Sequence, residues 1–197
     1  EVDTRRNVAR TPTRDGKRSW EVPLAPFLGC LGVAPAMAEV RSTIVPGPFG
    51  GNMDCPEVRV GNTVSLGVNV PGALVSFGDG HYAMGEGEIM GAAIEGAMNV
   101  EVVVDLIKKK STPVPRIDNA DEVMFVGSGR PLEDAARGLG AARVMKRQRP
   151  GIESVPQVVP HAGQTFGHAC LGAELFEQLE QHSRHGLGGA QALVQLR

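Results

Sequence analysis

The sequence predicts an α+β fold, with a β-rich core over residues 20–110 followed by C-terminal helices. The chain has 197 residues, 42% of them hydrophobic and 21% charged, which is the composition of a globular domain. Its 26 glycines and 14 prolines cluster in short blocks that are typical of tight turns between strands. We therefore divide the chain into a polar segment at 1–19, a β-rich domain at 20–142 and an irregular, helical region at 143–197.

The first third of the chain predicts extended structure. Residues 1–19 are polar and basic, and we expect either a mobile end or a loop that lacks its partner. Residues 20–36 are apolar but contain too many prolines for a helix, which predicts short extended pieces and turns.

Alternating hydrophobic residues predict most of the strands. Residues 57–60 alternate up to a turn at Gly61, and residues 63–70 alternate again. The further predictions are a short buried strand over 73–77 that ends at Gly78-Asp79-Gly80, a bulged strand or short buried helix over 89–97, and a clear strand over 99–107 closed by three lysines.

The C-terminal part predicts helices. Pro131 followed by acidic residues is typical of a helix start. Residues 171–185 carry leucines at helical spacing, and residues 190–197 are interpreted as the beginning of another helix.

Composition excludes several classes of protein. The net charge is −2 and no long basic stripe occurs, so nucleic-acid binding is not expected. No apolar run reaches the roughly 18–20 residues of a membrane span. The three cysteines have no regular spacing, which argues against a disulfide framework. The chain starts without a secretory segment, which favours a cytoplasmic location, and without an initiator Met, which suggests a longer parent protein.

Three glycine-flanked segments, 48–54, 78–81 and 85–88, present acidic side chains and one imidazole. Catalytic and ligand-binding groups favour such loops when a rigid sheet supports them. Mixed imidazole and carboxylate ligands suit zinc or a similar ion, which lowers the pKa of bound water to about 7. A further carboxylate can then carry the proton. Spacing alone leaves the roles open among Asp54, Asp79, His81 and Glu88, and a turn acid or a structural histidine remains the plain alternative for each.

Two other chemistries remain open. Cys55 or Cys170 could act as a nucleophile with His81. A second metal cluster could form from the C-terminal histidines, although we prefer to interpret them as surface histidines: His161, His168, His182 and His185.

Six segments occur in an order that resembles the acetamidase/formamidase family. They are 26–29 (PFLG), 32–35 (GVAP), 46–54 (PGPFGGNMD), 70–74 (VPGAL), 76–81 (SFGDGH) and 85–88 (GEGE). The resemblance implies hydrolysis of formamide, acetamide or similar small linear amides to ammonia and a carboxylate. It also implies a β-rich fold, a homo-oligomer and a divalent metal, with zinc favoured and calcium as the alternative.

The resemblance also implies roles for individual residues. Asp54, His81 and Glu88 are expected to be metal ligands or acid–base groups, and Asp79 to orient His81 or bind the metal. The substrate is expected to contact Asn52 and Glu86.

A non-catalytic binding or assembly module of the same family is the competing hypothesis. Family members begin upstream of this chain and carry an amide at the position of Met84. The resemblance fades after Ala142, and residues 176–196 resemble the family's late helices only weakly.

Overall fold

The computed structural model describes residues 1–121, 123–131, 134–135, 169–170 and 190–196, and within them the chain forms three antiparallel sheets. The predicted β-rich core is therefore confirmed. No helix in the described part of the chain is long and apolar enough to cross a membrane.

The first sheet contains the N-terminal residues, in the order β1 (Val2–Asp3), β2 (Val8–Pro12) and β3 (Ser19–Pro23). The expectation of a mobile end or an unpartnered loop is wrong for this segment. Its basic residues have a partner on β3, because Glu21 accepts hydrogen bonds from Arg6 at 2.8 and 2.9 Å and from Arg10.

The second sheet has the strand order β12-β7-β4-β5, and β8 pairs with the far half of β7. Its strands are β4 (Phe27–Gly32), β5 (Gly50–Asn52), β7 (Ser76–Ala83), β8 (Ile94–Glu95) and β12 (Ala169–Cys170). A short 3-10 turn, Glu86–Glu88, follows β7.

The predicted strand end at Gly78-Asp79-Gly80 is wrong, because β7 continues through these residues to Ala83. Gly78 pairs with Cys30 and Gly80 with Leu28 across the β4–β7 ladder. A Cβ on Gly80 would lie 2.8 Å from the carbonyl oxygen of Gly96, so this glycine permits a close approach of backbone rather than a turn.

The third sheet has the strand order β11-β10-β6-β13-β9. Its strands are β6 (Thr63–Val68), β9 (Val102–Lys108), β10 (Arg116–Asp118), β11 (Val123–Phe125) and β13 (Ala190–Leu196). The predicted strands at 63–70 and 99–107 are thus confirmed as β6 and β9, whereas residues 57–60 form turns instead of a strand. Of the segment 89–97, only Ile94 and Glu95 form a strand.

The predicted helix at 190–197 is wrong, because these residues form β13 at an inner position of the third sheet, between β6 and β9. Ala192, Val194 and Leu196 alternate along the strand, and all three are buried. This period of two is that of a strand. The C-terminal helices are therefore not confirmed: residues 171–185 lie outside the described residues, and at the predicted start near Pro131 only Asp134 and Ala135 are described, in helical conformation.

The second and third sheets share one hydrophobic core. Leu28, Leu31 and Phe77 from the second sheet belong to the same cluster as Leu66 and Val194 from the third. The core therefore supports β4 and β7, the two strands that carry the polar cluster described below.

The inner position of β13 predicts a large effect of truncation there. Val194 is 0% exposed, whereas Val60 is 66% exposed in a turn, so the same substitution can be compared at both positions. We expect Val194→Ala to lower the free energy of unfolding by about 2 kcal/mol, through lost apolar burial and a residual cavity. Val60→Ala should change it by less than about 0.5 kcal/mol. Urea denaturation measures both, and equal effects would contradict the placement of β13.

Candidate functional site

The central side chain of the polar cluster is His81, which lies on β7 and is 0% exposed. Asp79 lies two residues earlier on the same strand, and its Oδ2 is 3.1 Å from Nε2 of His81. The two side chains share one face because successive residues of a strand alternate between faces. The sequence prediction placed both residues on a loop, whereas the structure places them inside a strand.

A phenylalanine on β4, the strand next to β7, orients the imidazole of His81. Phe27 on β4 pairs with His81 in the ladder. The two rings meet edge to face, with centroids 4.6 Å apart and an interplanar angle of 64°. This contact restricts the rotation of the His81 ring and covers one side of it with an apolar group.

Asp54 joins the cluster from the segment that follows β5. Its Oδ1 is 3.8 Å from Nε2 of His81, and its Oδ2 accepts a hydrogen bond of 2.9 Å from the side-chain amide of Asn52. Asn52 is itself buried, so it holds the Asp54 carboxylate in place. The predicted contact of Asn52 with substrate stays a prediction.

Gly29 on β4 leaves the space in which these ligand atoms converge. A Cβ on Gly29 would lie 2.3 Å from Oδ2 of Asp79, 2.7 Å from Oδ1 of Asp54 and 2.7 Å from Nε2 of His81. Its carbonyl oxygen also accepts the backbone N–H groups of Met53 and Asp54. Sequence reasoning quoted Gly29 only as part of a motif and did not recognise this role.

Glu95 on β8 is a further member of the cluster that sequence reasoning missed. It pairs with His81 across the β7–β8 ladder, and its Oε1 is 4.0 Å from Nε2 of His81. The same oxygen accepts a hydrogen bond of 3.1 Å from the backbone N–H of Ala93. A single acidic residue within the small, apolar stretch 89–97 was the feature of the sequence that could have indicated it.

Glu88 completes the cluster from the 3-10 turn. It is 4% exposed, and its ligand atom lies within 4.8 Å of those of His81 and Glu95. Glu86 begins the same turn, but its side chain lies outside the described residues, so its predicted substrate contact stays a prediction.

Three of the four carboxylates stand on left-handed backbone. The φ angles are 45° at Asp54, 58° at Asp79 and 44° at Glu88. Non-glycine residues adopt this region at a cost of about 1–3 kcal/mol each, and such residues concentrate at functional sites. The surrounding structure must therefore hold these three residues in place, and all three carry side chains of the same cluster.

Burial and mutual repulsion change the acidity of the cluster. Burial, followed by the nearby Glu88 carboxylate, raises the pKa of Asp54 to about 8. Burial alone would lower the pKa of His81, but the Asp79, Asp54 and Glu95 carboxylates outweigh it and raise this pKa. Burial and the same aspartates raise the pKa of the neighbouring Cys30 thiol to about 11. The cluster thus holds more negative charge than its own residues neutralise.

The donor atoms of the cluster fit a divalent cation. Nδ1 of His81 and both carboxylate oxygens of Glu88 are buried without a hydrogen-bond partner among the described residues, whereas Nε2 of His81 has Oδ2 of Asp79 at 3.1 Å. Asp54, Asp79 and His81 form one group of potential ligands, and His81, Glu88 and Glu95 form another. Buried polar atoms of this kind are normally satisfied, so a bound cation accounts for both their position and their lack of partners.

The alternative chemistries receive no support from the described residues. The Cys55 thiol donates a hydrogen bond of 3.0 Å to Glu57, and no described cysteine belongs to a group of potential ligands with His81. The backbone of Cys170 lies in β12, but its side chain lies outside the described residues. The four C-terminal histidines also lie outside the described residues.

Comparison with known proteins relates part of the chain to a known family. Residues 32–127 match the model of the Acetamidase/Formamidase family. A protein of Schizosaccharomyces pombe named "Putative formamidase C869.04" is 42% identical over 60 residues, which are 30% of this chain and 15% of the yeast protein. The resemblance to the family is therefore confirmed, and it covers segment 32–127 of this chain.

Solved structures extend the comparison to the fold. The acetamidase from Yersinia enterocolitica is 36% identical, with a TM-score of 0.52 over 60% of this chain and 36% of that chain. The acetamidase from Bacillus halodurans is 23% identical, with a TM-score of 0.51 over 90% of this chain and 56% of that chain, and supports the fold alone. This chain thus spans only part of the length of the relatives that it matches.

The space at Gly29 predicts that one methyl group disrupts the site. Gly29→Ala places a carbon within 2.7 Å of three ligand atoms, whereas Gly85→Ala meets nothing within 4 Å and is the matched control. We expect Gly29→Ala to weaken zinc binding by about tenfold or more, the scale seen when groups around metal ligands are altered. Titration calorimetry measures the affinity. Unchanged affinity in Gly29→Ala would mean that cations bind elsewhere.

The raised pKa of Asp54 predicts that the metal-free protein loses stability as pH rises. Between the ordinary value of 3.8 and about 8, the folded state keeps a proton that the unfolded state has released. The free energy of unfolding therefore falls by up to about 1.4 kcal/mol per pH unit within this window. The raised pKa of His81 acts in the same direction. Urea denaturation of chelated protein across the window measures the slope, and Asp54→Asn, which stays neutral, should flatten it.

Proposed function

We propose that the chain is part of a metal-dependent hydrolase that cleaves the carbon–nitrogen bond of small linear amides to ammonia and a carboxylate. The observation that carries the proposal is the buried group of one imidazole and several carboxylates within the segment that matches the family. The names of the relatives support amides as the substrate class.

Asp54, Asp79 and His81 would hold the metal, because their ligand atoms converge beside Gly29. Mixed nitrogen and oxygen donors favour zinc, whereas an all-oxygen site would favour calcium. A bound zinc would acidify water and polarise the amide carbonyl. Asp79 lies near enough to His81 to fix its ring, whichever of the two groups coordinates.

Glu88 is the proposed proton carrier. Both of its oxygens are buried without a hydrogen-bond partner among the described residues, so one of them is available to accept a proton from water. The same group can then deliver the proton to the departing nitrogen, since an amine leaves poorly without protonation. Left-handed backbone fixes Glu88 in this position.

The burial of the cluster favours a small substrate. His81, Asp54, Asp79 and Glu88 are almost completely covered, whereas the side chain of Glu95 is 22% exposed. Glu95 is therefore the member of the cluster most open to solvent. A site with this limited opening suits formamide and acetamide better than a peptide.

Ammonia release tests the proposal directly. We expect the purified chain to release ammonia from formamide or acetamide, and a chelator to abolish release. His81→Ala should lower the rate at least about a hundredfold, because it removes a shared ligand from the centre of the cluster. Glu101→Gln, at an exposed position outside the cluster, is the control. Full turnover by His81→Ala would refute the proposed roles.

A non-catalytic module is the second candidate, and partial coverage of the relatives favours it. Retained metal without ammonia release from any small amide would support this candidate. On the resemblance alone we also propose a homo-oligomer, which light scattering would test. The cytoplasmic location stays a prediction, which cell fractionation would test.

A further inference from the structure

We propose that the polar cluster binds two divalent cations rather than one, and that Glu95 and Glu88 hold the second. This inference rests on the metal centre proposed above and extends it to a second ion. The two groups of potential ligands, Asp54, Asp79 and His81 on one side and His81, Glu88 and Glu95 on the other, overlap only at His81.

The charge of the cluster favours two ions. Four carboxylates surround a single imidazole, and in the described part of the chain neither Asp79, Glu88 nor Glu95 forms an ion pair with a lysine or arginine. One divalent cation would leave two negative charges uncompensated in a buried region, which is costly. Two divalent cations balance four carboxylates.

The positions of the donors favour two ions as well. A Cβ on Gly29 would lie within 2.7 Å of ligand atoms from Asp79, Asp54 and His81. The first ion would therefore be held beside β4. Glu95 approaches His81 from β8 instead, on the opposite edge of β7. The ligand atom of Glu95 therefore reaches the imidazole from the β8 edge of β7, and Glu88 contributes a ligand atom within 4.8 Å of it.

The burial of the Glu88 carboxylate is a second observation that points to a bound cation. Glu88 is only 4% exposed, and neither of its carboxylate oxygens has a hydrogen-bond partner among the described residues. The carboxyl group beside Glu88 is that of Asp54, and a bound cation would take the place of a proton shared between the two. With one oxygen on the second ion, Glu88 keeps the other for proton transfer.

Glu95 is arranged as a ligand at the open side of the cluster. The backbone N–H of Ala93 fixes its Oε1, and the side chain remains 22% exposed. An ion held by Glu95 would therefore lie nearer to solvent than one held by Asp54 and Asp79, and would exchange more readily. Paired ions about 3.5–4 Å apart are a recurrent arrangement in hydrolases, where both stabilise the reacting oxygens.

The test compares bound zinc in the wild-type chain and in Glu95→Gln, after chelation and dialysis against zinc. We expect Glu95→Gln to bind one ion fewer per chain, as measured by elemental analysis of folded protein. Any zinc bound at the C-terminal histidines is present in both proteins, so it does not affect the difference in zinc content between them. Glu101→Gln should bind as many ions as wild type. Equal zinc content in wild type and Glu95→Gln would overturn the inference.

Replacing zinc with cobalt provides a second measurement, and partial unfolding of the variant would not produce the expected result in the wild-type protein. Two cobalt ions at this separation couple magnetically, so we expect a coupled electron paramagnetic resonance spectrum in wild type and an uncoupled spectrum in Glu95→Gln. An uncoupled spectrum in fully loaded wild type would also overturn the inference. Two bound ions without ammonia release would refute the amidase proposal alone, whereas chelator-sensitive release with unchanged zinc in Glu95→Gln would refute only the second ion.

Discussion

The site depends on the concentration of negative charge around one buried imidazole. Asp54, Asp79 and Glu95 all lie within 4.0 Å of Nε2 of His81, and Glu88 lies close enough to Asp54 to raise its pKa. Buried carboxylates repel one another and lose hydration, so the fold must hold them against both costs. The hydrophobic core behind β4 and β7 supplies that support, because it anchors the strands from which these side chains project.

Local backbone geometry is the second part of that support. The left-handed conformations at Asp54, Asp79 and Glu88 bring carboxylates toward His81 from three different segments of the chain. The carbonyl of Gly29 binds the backbone of Asp54, and the lack of a side chain at Gly29 leaves room for the ligand atoms. The site is therefore built from interactions of the backbone as much as from its charged groups.

The sequence predicted the residue types of the site better than their structural setting. Asp54, Asp79, His81 and Glu88 were recognised because glycine-flanked acids and a histidine suggest a functional loop. The loop itself was wrong, since glycines at 78 and 80 serve close packing inside β7. Glu95 could not be found from local pattern, because its role follows from the ladder register that pairs it with His81. A register between separated strands depends on tertiary structure.

The third sheet shows the same limit of prediction from local sequence, here for the fold. β6 and β9 were predictable, since apolar residues alternate along both strands. β13 was interpreted as a helix because its small and aliphatic residues, such as Ala192 and Leu193, fit either periodicity over so short a segment. Its conformation is decided by pairing with β6 and β9 on both sides, through residues far away in the chain. Local propensity was outweighed there by tertiary hydrogen bonding and burial.

Metal binding, as proposed here, would be linked to folding in this arrangement. All the elements that carry the cluster lie between Phe27 and Glu95, so the site forms from a compact stretch of sequence. Without a cation, that stretch carries uncompensated charge and strained backbone on its second sheet. A cation that binds only the folded state would relieve the repulsion and stabilise the protein by mass action. The residues that make the metal-free site costly are thus the same residues that would make it a strong ligand set.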